Sequence, residues 1–188
     1  MSKMKQHAKR LLTLGLALGL LGSGVFAAFT ATTANSGNQI QSGSVAVSSD
    51  VTGAIYDASG LKPGDTVTKC INVTHTGTLA STVKAYMSAG VTSGTLYNLK
   101  IERGTQTTGT RPDCGDFSPT ATVKADGPIG TTATTYATGY DIKGSAFAEN
   151  DNVILRFTIT HNDDTTANAH TSVTSTGSHT WTFEAQNN

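Results

Sequence analysis

The chain has 188 residues, of which only 14% are charged, and its 13 basic and 13 acidic side chains leave no formal net charge. This length predicts one domain. The balanced charge offers no basic surface for nucleic acid, and the low charge density disfavours coiled coils and charge-driven disorder. Thr is unusually common, with 33 copies, and Gly adds 20. The composition is typical of a β-sandwich or a Thr-rich stalk and disfavours a helical bundle.

The N-terminal segment has the three parts of a secretory signal peptide. Four basic residues precede an apolar run, residues 11–21, which contains seven of the 12 Leu residues. Small residues follow, and Val25-Phe26-Ala27 fits the cleavage rule, so we expect a signal peptidase to cut between Ala27 and Ala28. The alternative is an uncleaved anchor, because residues 11–29 are nearly long enough to span a membrane. We expect residues 1–27 of the precursor to be the only membrane-contacting part.

Cleavage would leave a different molecule, residues 28–188, with 9 basic and 13 acidic side chains and a net charge of −4. Of these 161 residues, 50 are Thr, Val or Ile. Such β-branched side chains fit a pleated strand better than a helix. Residues 28–42 are polar and weakly patterned, which predicts a flexible N-terminal arm before a domain at 43–188.

The mature sequence alternates short apolar segments with turn residues. Leu61-Lys-Pro63-Gly64-Asp65 predicts a turn, with Gly64 at the position that needs a positive φ. The signal at Gly77–Ala80 predicts a hairpin. Residues 104–150 are rich in Thr, Gly and Pro and predict a long irregular excursion, either functional or flexible. We expect about seven to nine strands in an antiparallel sandwich, at 43–49, 66–75, 81–87, 95–103, 121–125, 152–161 and 179–185.

The two cysteines, Cys70 and Cys114, predict a disulfide, because an even count in an exported chain favours pairing. Alternation within 66–75 places Cys70 on the polar face, opposite Val67, Ile71 and Val73. Cys114 lies in an irregular stretch, so we expect its loop to cross the outer face of that strand. The alternative, a pair of metal-binding thiolates, lacks the close Cys-x-x-Cys spacing.

The sequence contains neither a zinc-protease motif nor the elbow of a serine hydrolase, and it has no phosphate-binding loop. His161, Asp163 and Asp164 could together hold a cation, with Zn²⁺ or Ca²⁺ as the alternatives. The same residues are equally natural as a turn after a strand. We therefore expect no catalytic residue, no cofactor and no nucleic-acid partner.

Four segments together resemble the TasA/camelysin family of Gram-positive secreted proteins. They are the signal region at 15–29, the strand entry at 41–47, the turn and strand at 61–79 that begin with Leu61-Lys-Pro-Gly-Asp65, and the closing strand at 181–185. The chain departs from the family in two places: His75 stands where Asn is usual, and the two cysteines are not part of the family pattern.

The resemblance implies a jelly-roll or Ig-like β-sandwich, processing by a SipW-type signal peptidase, and export to the matrix or cell surface of a Gram-positive bacterium. It also implies fibres in which residues 28–42 of one copy pair as a strand in the next copy. Our leading hypothesis is therefore a structural subunit of a biofilm matrix. The alternatives are a secreted metalloendopeptidase that uses some of His161, Asp163, Asp164 and His170, and a monomeric surface-adhesion module.

Overall fold

A computed structural model describes residues 42–87, 91, 94–163 and 178–187. The predicted signal peptide, its cleavage site at Ala27 and Ala28, and residues 28–41 of the arm lie outside the described residues. Within the described part, the only helix is a 3-10 turn at Ile129–Thr131, and no helix has the length and hydropathy needed to cross a membrane. The eight strands are β1 (Val47–Ser49), β2 (Thr66–His75), β3 (Thr82–Met87), β4 (Tyr97–Thr105), β5 (Ser118–Lys124), β6 (Tyr140–Asp141), β7 (Asn152–His161) and β8 (Trp181–Gln186).

The strands form two antiparallel sheets, one with five strands in the order β1-β2-β7-β4-β5 and one with three in the order β6-β3-β8. Their apolar faces share one core, as expected for two half-buried sheets. The expectation of an all-β antiparallel sandwich is confirmed, and eight strands fall within the expected range.

The centre of the larger sheet is the pair β2 and β7, whose bounds match the two most regularly alternating segments of the sequence. Ile71 lies opposite Leu155, and Val73 lies opposite Val153, in an unbroken register. These four side chains are all buried. Period-2 alternation therefore placed the inner face of the larger sheet correctly, because each of these strands has one buried face.

Residues 104–150 contribute to both sheets. After β5, residues 127–128 run beside β4, where the Leu99 amide donates to the carbonyl of Gly127. The chain then reaches the smaller sheet, where β6 pairs with β3. Ile129, Ile142 and Phe147 are nearly or fully buried and fill the core. This part of the chain therefore supplies large core side chains as well as loops.

The predicted hairpin at Gly77–Ala80 is wrong. β2 and β3, which flank this turn, lie in different sheets, so the turn carries the chain across the sandwich. Gly77 packs against the segment before β1, and a Cβ there would lie 2.5 Å from the carbonyl oxygen of Ser44. Local turn signals predict where the chain reverses, but they do not determine which sheet receives the next strand.

The turn at Leu61–Asp65 connects to the end of β7. Gly64 has a φ of +87°, and the Asp65 amide donates to the carbonyl of Lys62. The Asp65 carboxylate accepts a hydrogen bond from the Lys62 amide at 2.9 Å. The backbones of Gly64 and Asp65 also bond to His161, so the turn fixes the register at which β2 enters the sheet.

Candidate functional site

A disulfide joins Cys70 of β2 to Cys114, with their Cα atoms 5.3 Å apart. Cys114 belongs to the connection between β4 and β5, residues 106–117, which we call the disulfide loop. β4 and β5 lie at the far side of the sheet from β2, so this loop crosses the outer face of β7 to reach Cys70. This crossing is the one that the position of Cys70 on the polar face of its strand predicts.

The disulfide loop also covers part of the edge of β2. β1 pairs with β2 only along Val73–His75. Beyond that point the Cys70 amide donates to the carbonyl of Pro112 at 2.7 Å, and the Asn72 amide donates to the carboxylate of Asp50 at 2.8 Å. The loop backbone thus takes the place of a neighbouring strand at residue 70.

A buried ion pair lies beneath the disulfide loop. Arg156 of β7 donates to Glu102 of β4 at 2.6 Å, and Lys100 approaches the same carboxylate at 2.8 Å. Burial raises the pKa of Glu102, but the hydrogen bonds from Lys100 and Arg156 outweigh it and leave that pKa below its ordinary value. The Arg156 guanidinium also lies 4.7 Å from the ring centre of Phe117, at the end of the loop.

The Asp116 carboxylate organises the other end of the disulfide loop. It accepts hydrogen bonds from the hydroxyls and amides of Thr107 and Thr108 and from the amide of Gly109. These bonds, led by the Thr107 hydroxyl, hold the pKa of Asp116 well below its usual range. Because every donor belongs to the loop itself, Asp116 has a structural role there.

A cavity of about 550 Å³ lies between residues 53–59 and the start of β8. The Trp181 indole donates to the Tyr56 hydroxyl at 3.0 Å, and the same hydroxyl lies 2.6 Å from Nε2 of His179. Burial raises the pKa of Tyr56 to about 12, partly offset by the bond from Trp181. Tyr56 is therefore neutral and hydrogen-bonded near pH 7, which suits a structural role better than proton transfer.

The candidate cation ligands are only partly described. His161 is buried at the end of β7, with its ring edge-on to Tyr97 at 4.8 Å and its Nδ1 3.0 Å from the carbonyl of Asn162. Asp163 is exposed, whereas Asp164 and His170 lie outside the described residues. No group of three His, Cys, Asp or Glu side chains within 42–87, 94–163 and 178–187 is arranged to hold a metal ion.

The sheet edges differ in how well they resist pairing with another chain. β1 has three residues, β6 has two, and β5 carries Pro119 and two register shifts against β4. Short strands, proline and bulges all discourage edge-to-edge pairing. β8 has six residues and no proline, and β3 is its only partner among the described strands.

The fold and these features define an antiparallel β-sandwich with a disulfide loop over one sheet and, on the other, an edge strand that has no second strand neighbour among the described residues. A family model described as camelysin metallo-endopeptidase matches residues 3–99, which is 97 of the 188 residues. The chain belongs to the camelysin family. Members of the camelysin/TasA family are secreted or cell-surface proteins. No curated protein matches the chain.

The family's description implies a metal ion, and the described residues do not fit one. Metal sites need several oxygen, nitrogen or sulfur ligands converging on one point. His75 has an unpartnered Nε2, but the residue is fully buried at the end of β2, with its ring centre 6.3 Å from that of Phe147. The Cys70 and Cys114 sulfurs are bonded to each other. We therefore derive no metal-dependent step from the described residues.

Several structurally important side chains gave no usable signal in the sequence. Tyr56 lies in a loop without periodicity. Lys124 ends β5, and its ammonium donates to the carbonyls of Leu99, Ala125 and Gly127. Partners separated by more than 100 residues, such as Tyr56 and Trp181, are brought together only by the sheet order.

Proposed function

We propose that the protein is an exported structural subunit that assembles into extracellular fibres by strand addition, as part of the biofilm matrix of a Gram-positive bacterium. The partner is another copy of the chain, whose residues 28–42 supply the added strand. Family membership supports export and a place at the cell surface. The outer edge of β8, which pairs with no second strand among the described residues, is the observation that carries the assembly mechanism.

Along β8, the backbone N–H and C=O groups of successive residues point alternately toward β3 and toward the outer edge of the strand. The Met87 amide and the Val83 carbonyl bond to residues on the β6 side, so the even-numbered residues of β3 face β8. Their β8 partners are Thr182, Glu184 and Gln186. By alternation, the amides and carbonyls of Trp181, Phe183 and Ala185 point outward and can bond to an added strand.

The side chains of β8 support the same conclusion. Trp181, Phe183 and Ala185 pack against the core but remain only partly buried. The smaller sheet has three strands against five in the other, so it covers less of the shared core. An added strand at β8 would shield more of these apolar side chains, and each Å² of apolar surface removed from water contributes about 25 cal/mol.

The proposed donor is long enough for this role. Residues 28–42 would span roughly 50 Å when extended, whereas a six-residue edge needs only about 20 Å. The remaining length could connect the added strand to the next sandwich. Removal of residues 1–27 by a SipW-type signal peptidase would release this arm.

Deletion of residues 28–42 tests the proposal. The shortened protein should keep the circular-dichroism spectrum of the sandwich, because the described core lies between residues 47 and 186. We expect it to form no filaments by electron microscopy under conditions in which the 28–188 protein does. Filaments of undiminished length from the shortened protein would show that the arm is not the donor.

The family's description favours a second candidate, a secreted metalloendopeptidase. The test is cleavage of casein by pure 28–188 protein with added Zn²⁺, with a chelator and the His161→Ala variant as controls. We expect no cleavage. Activity lost both with the chelator and in the variant would favour the peptidase, whereas a protein that stays monomeric in light scattering at high concentration would favour the adhesion module.

A further inference from the structure

The edge of β2 is longer than the strand that protects it. β1 pairs with the last three described residues of β2, Val73–His75, and leaves residues 66–72 without a strand on that side. The Cys70 and Asn72 amides point to this edge, and alternation places the Thr68 amide there as well. Such an edge can accept a strand from another chain unless something covers it.

The disulfide loop supplies that cover, and apart from the disulfide it is held beside β2 by polar contacts. The Pro112 carbonyl accepts from the Cys70 amide, and Arg111 forms an ion pair with Asp50. Residues 107–116 contain no Val, Ile, Leu, Met or aromatic side chain. The ion pair between Asp113 and Lys69, at 2.8 Å, has an Asp113 side chain that is 76% exposed. Exposed pairs of this kind contribute little to stability and are screened by salt.

The two cysteines of the disulfide differ in exposure. Cys70 is fully buried, whereas Cys114 is partly exposed in the loop. A soluble dithiol can therefore attack the sulfur of Cys114. The Cys70–Cys114 bond breaks, both cysteines become thiols, and the dithiol is oxidised to its own internal disulfide.

We propose that the disulfide loop is a removable cover over the β2 edge, and that reduction of the Cys70–Cys114 bond exposes this edge to strand pairing with a second copy of the chain. Reduction removes the covalent attachment of the loop to β2 and leaves only the polar contacts described above to hold it. The outward amides of residues 68 and 70 are then open to the carbonyls of an incoming strand.

This inference adds to the proposed function and rests on it in one respect. If fibres grow through β8, formation of the Cys70–Cys114 disulfide restricts strand pairing to that edge. Regular fibres would then form only after the disulfide has formed. Disulfides form outside the cytoplasm, where the proposed assembly occurs. A reduced chain would have two acceptor edges, those of β2 and β8. Copies could then add at either edge, and the assembly would not grow as a fibre along one axis.

Hydrogen exchange measured residue by residue tests the release of the loop. In 28–188 protein treated with a dithiol, we expect the amide of Cys70 to exchange at least tenfold faster than in the oxidised protein. The amide of Ile71, which by alternation faces β7, should be unchanged. The Cys70→Ala/Cys114→Ala variant should match the reduced protein. Equal exchange at residue 70 in oxidised and reduced protein would overturn the proposal.

Sedimentation at a concentration where the oxidised protein is monomeric tests the pairing. The reduced protein should at least double its apparent mass. Adding Thr68→Pro, which removes an outward amide, should restore the monomer, whereas Thr68→Ala, which keeps that amide, should not. A reduced protein that stays monomeric, or one that associates despite Thr68→Pro, would refute pairing at β2. Failure of the proposed function would appear separately, as an absence of fibres from the oxidised protein.

Discussion

The indole N–H of Trp181 donates a hydrogen bond to the hydroxyl of Tyr56 across 3.0 Å, and this bond ties the loop after β1 to the first residue of β8. The two residues are 125 positions apart in the chain. Both rings also pack against Phe157 of β7, with centroid distances of 6.1 Å for Tyr56 and 5.0 Å for Trp181. Tyr56 therefore connects the last strand to the centre of the larger sheet.

Replacement of Tyr56 by Phe should destabilise the protein by about 1–3 kcal/mol at pH 7, because the Trp181 indole loses its acceptor. The stability difference should also depend on pH. Burial raises the pKa of Tyr56 to about 12. A tyrosine with a raised pKa contributes stability that is fully present below its unfolded pKa of about 10 and is lost as pH rises through 12.

Urea unfolding at several pH values between 7 and 12 checks this prediction. The wild-type protein should lose stability more steeply above pH 10 than Tyr56→Phe, so the two free energies of unfolding should converge there. Parallel curves for the two proteins up to pH 12 would show that Tyr56 does not carry the effect.

Lys124 provides a second test of a buried polar contact. Its ammonium donates to three carbonyls, including that of Leu99 at 2.9 Å, and the residue is only 6% exposed. Burial lowers the pKa of Lys124, although Asp126 partly opposes the shift. Lys124→Met preserves the length of the side chain but leaves the carbonyls without this donor. We expect a loss of about 2–4 kcal/mol in the free energy of unfolding.

The matched control is Lys62→Met, because Lys62 is exposed in the turn before β2. A surface change of this kind should alter stability by no more than about 0.5 kcal/mol. Denaturant midpoints of the two variants under identical conditions make the comparison. Equal midpoints would mean that, in the variant, water donates to the three carbonyls that accept from the Lys124 ammonium.

The sequence predicted the sheets better than the connections between them. The segments that became β2 and β7 alternate strictly, so their inner faces could be assigned from the pattern alone. The placement of Cys70 followed from the same parity. Alternation does not say which strands are neighbours, so the turn signal at Gly77 predicts a hairpin although the next strand joins the other sheet.

The other features that the sequence pattern does not predict have a common physical cause. Ile142 and Phe147 fill the core from short irregular segments, where burial depends on the tertiary path and leaves no period in the sequence. The ion pair between Glu102 and Arg156 depends on β4 and β7 being neighbours, and these strands are separated in the chain by β5 and β6. Such contacts follow from topology, which local patterns leave open.

The ion pair between Glu102 and Arg156 makes the free energy of unfolding depend on pH in acidic solution. Glu102 is 7% exposed, and its pKa lies below the ordinary value. A carboxylate with a depressed pKa contributes stability that is present above its unfolded pKa, about 4.3, and is lost as pH falls through the folded pKa. Arg156→Met should cost about 2–3 kcal/mol at pH 7, because it leaves the buried carboxylate with Lys100 alone.

A double-mutant cycle with Glu102→Gln isolates the pair. The double variant should be less destabilised than the sum of the two single variants, because neither an unpaired carboxylate nor an unpaired guanidinium remains. The coupling should shrink as pH falls through the pKa of Glu102. Additive effects at pH 7 would indicate that Arg156 acts through its packing on Phe117 instead.

The edge of β8 can be blocked without emptying the core. Ala185 lies opposite Val83 of β3, and its amide points away from that strand by the alternation described above. Ala185→Pro removes this outward donor while keeping the bonds from Glu184 and Gln186 to β3, and edge strands tolerate proline at such positions. We expect the variant to fold but to form few or no filaments by electron microscopy.

Ala185→Gly is the matched control, because it loses the methyl group but retains the amide, and it should still form filaments. If Ala185→Pro folds and polymerises as readily as Ala185→Gly, the added strand pairs at another edge.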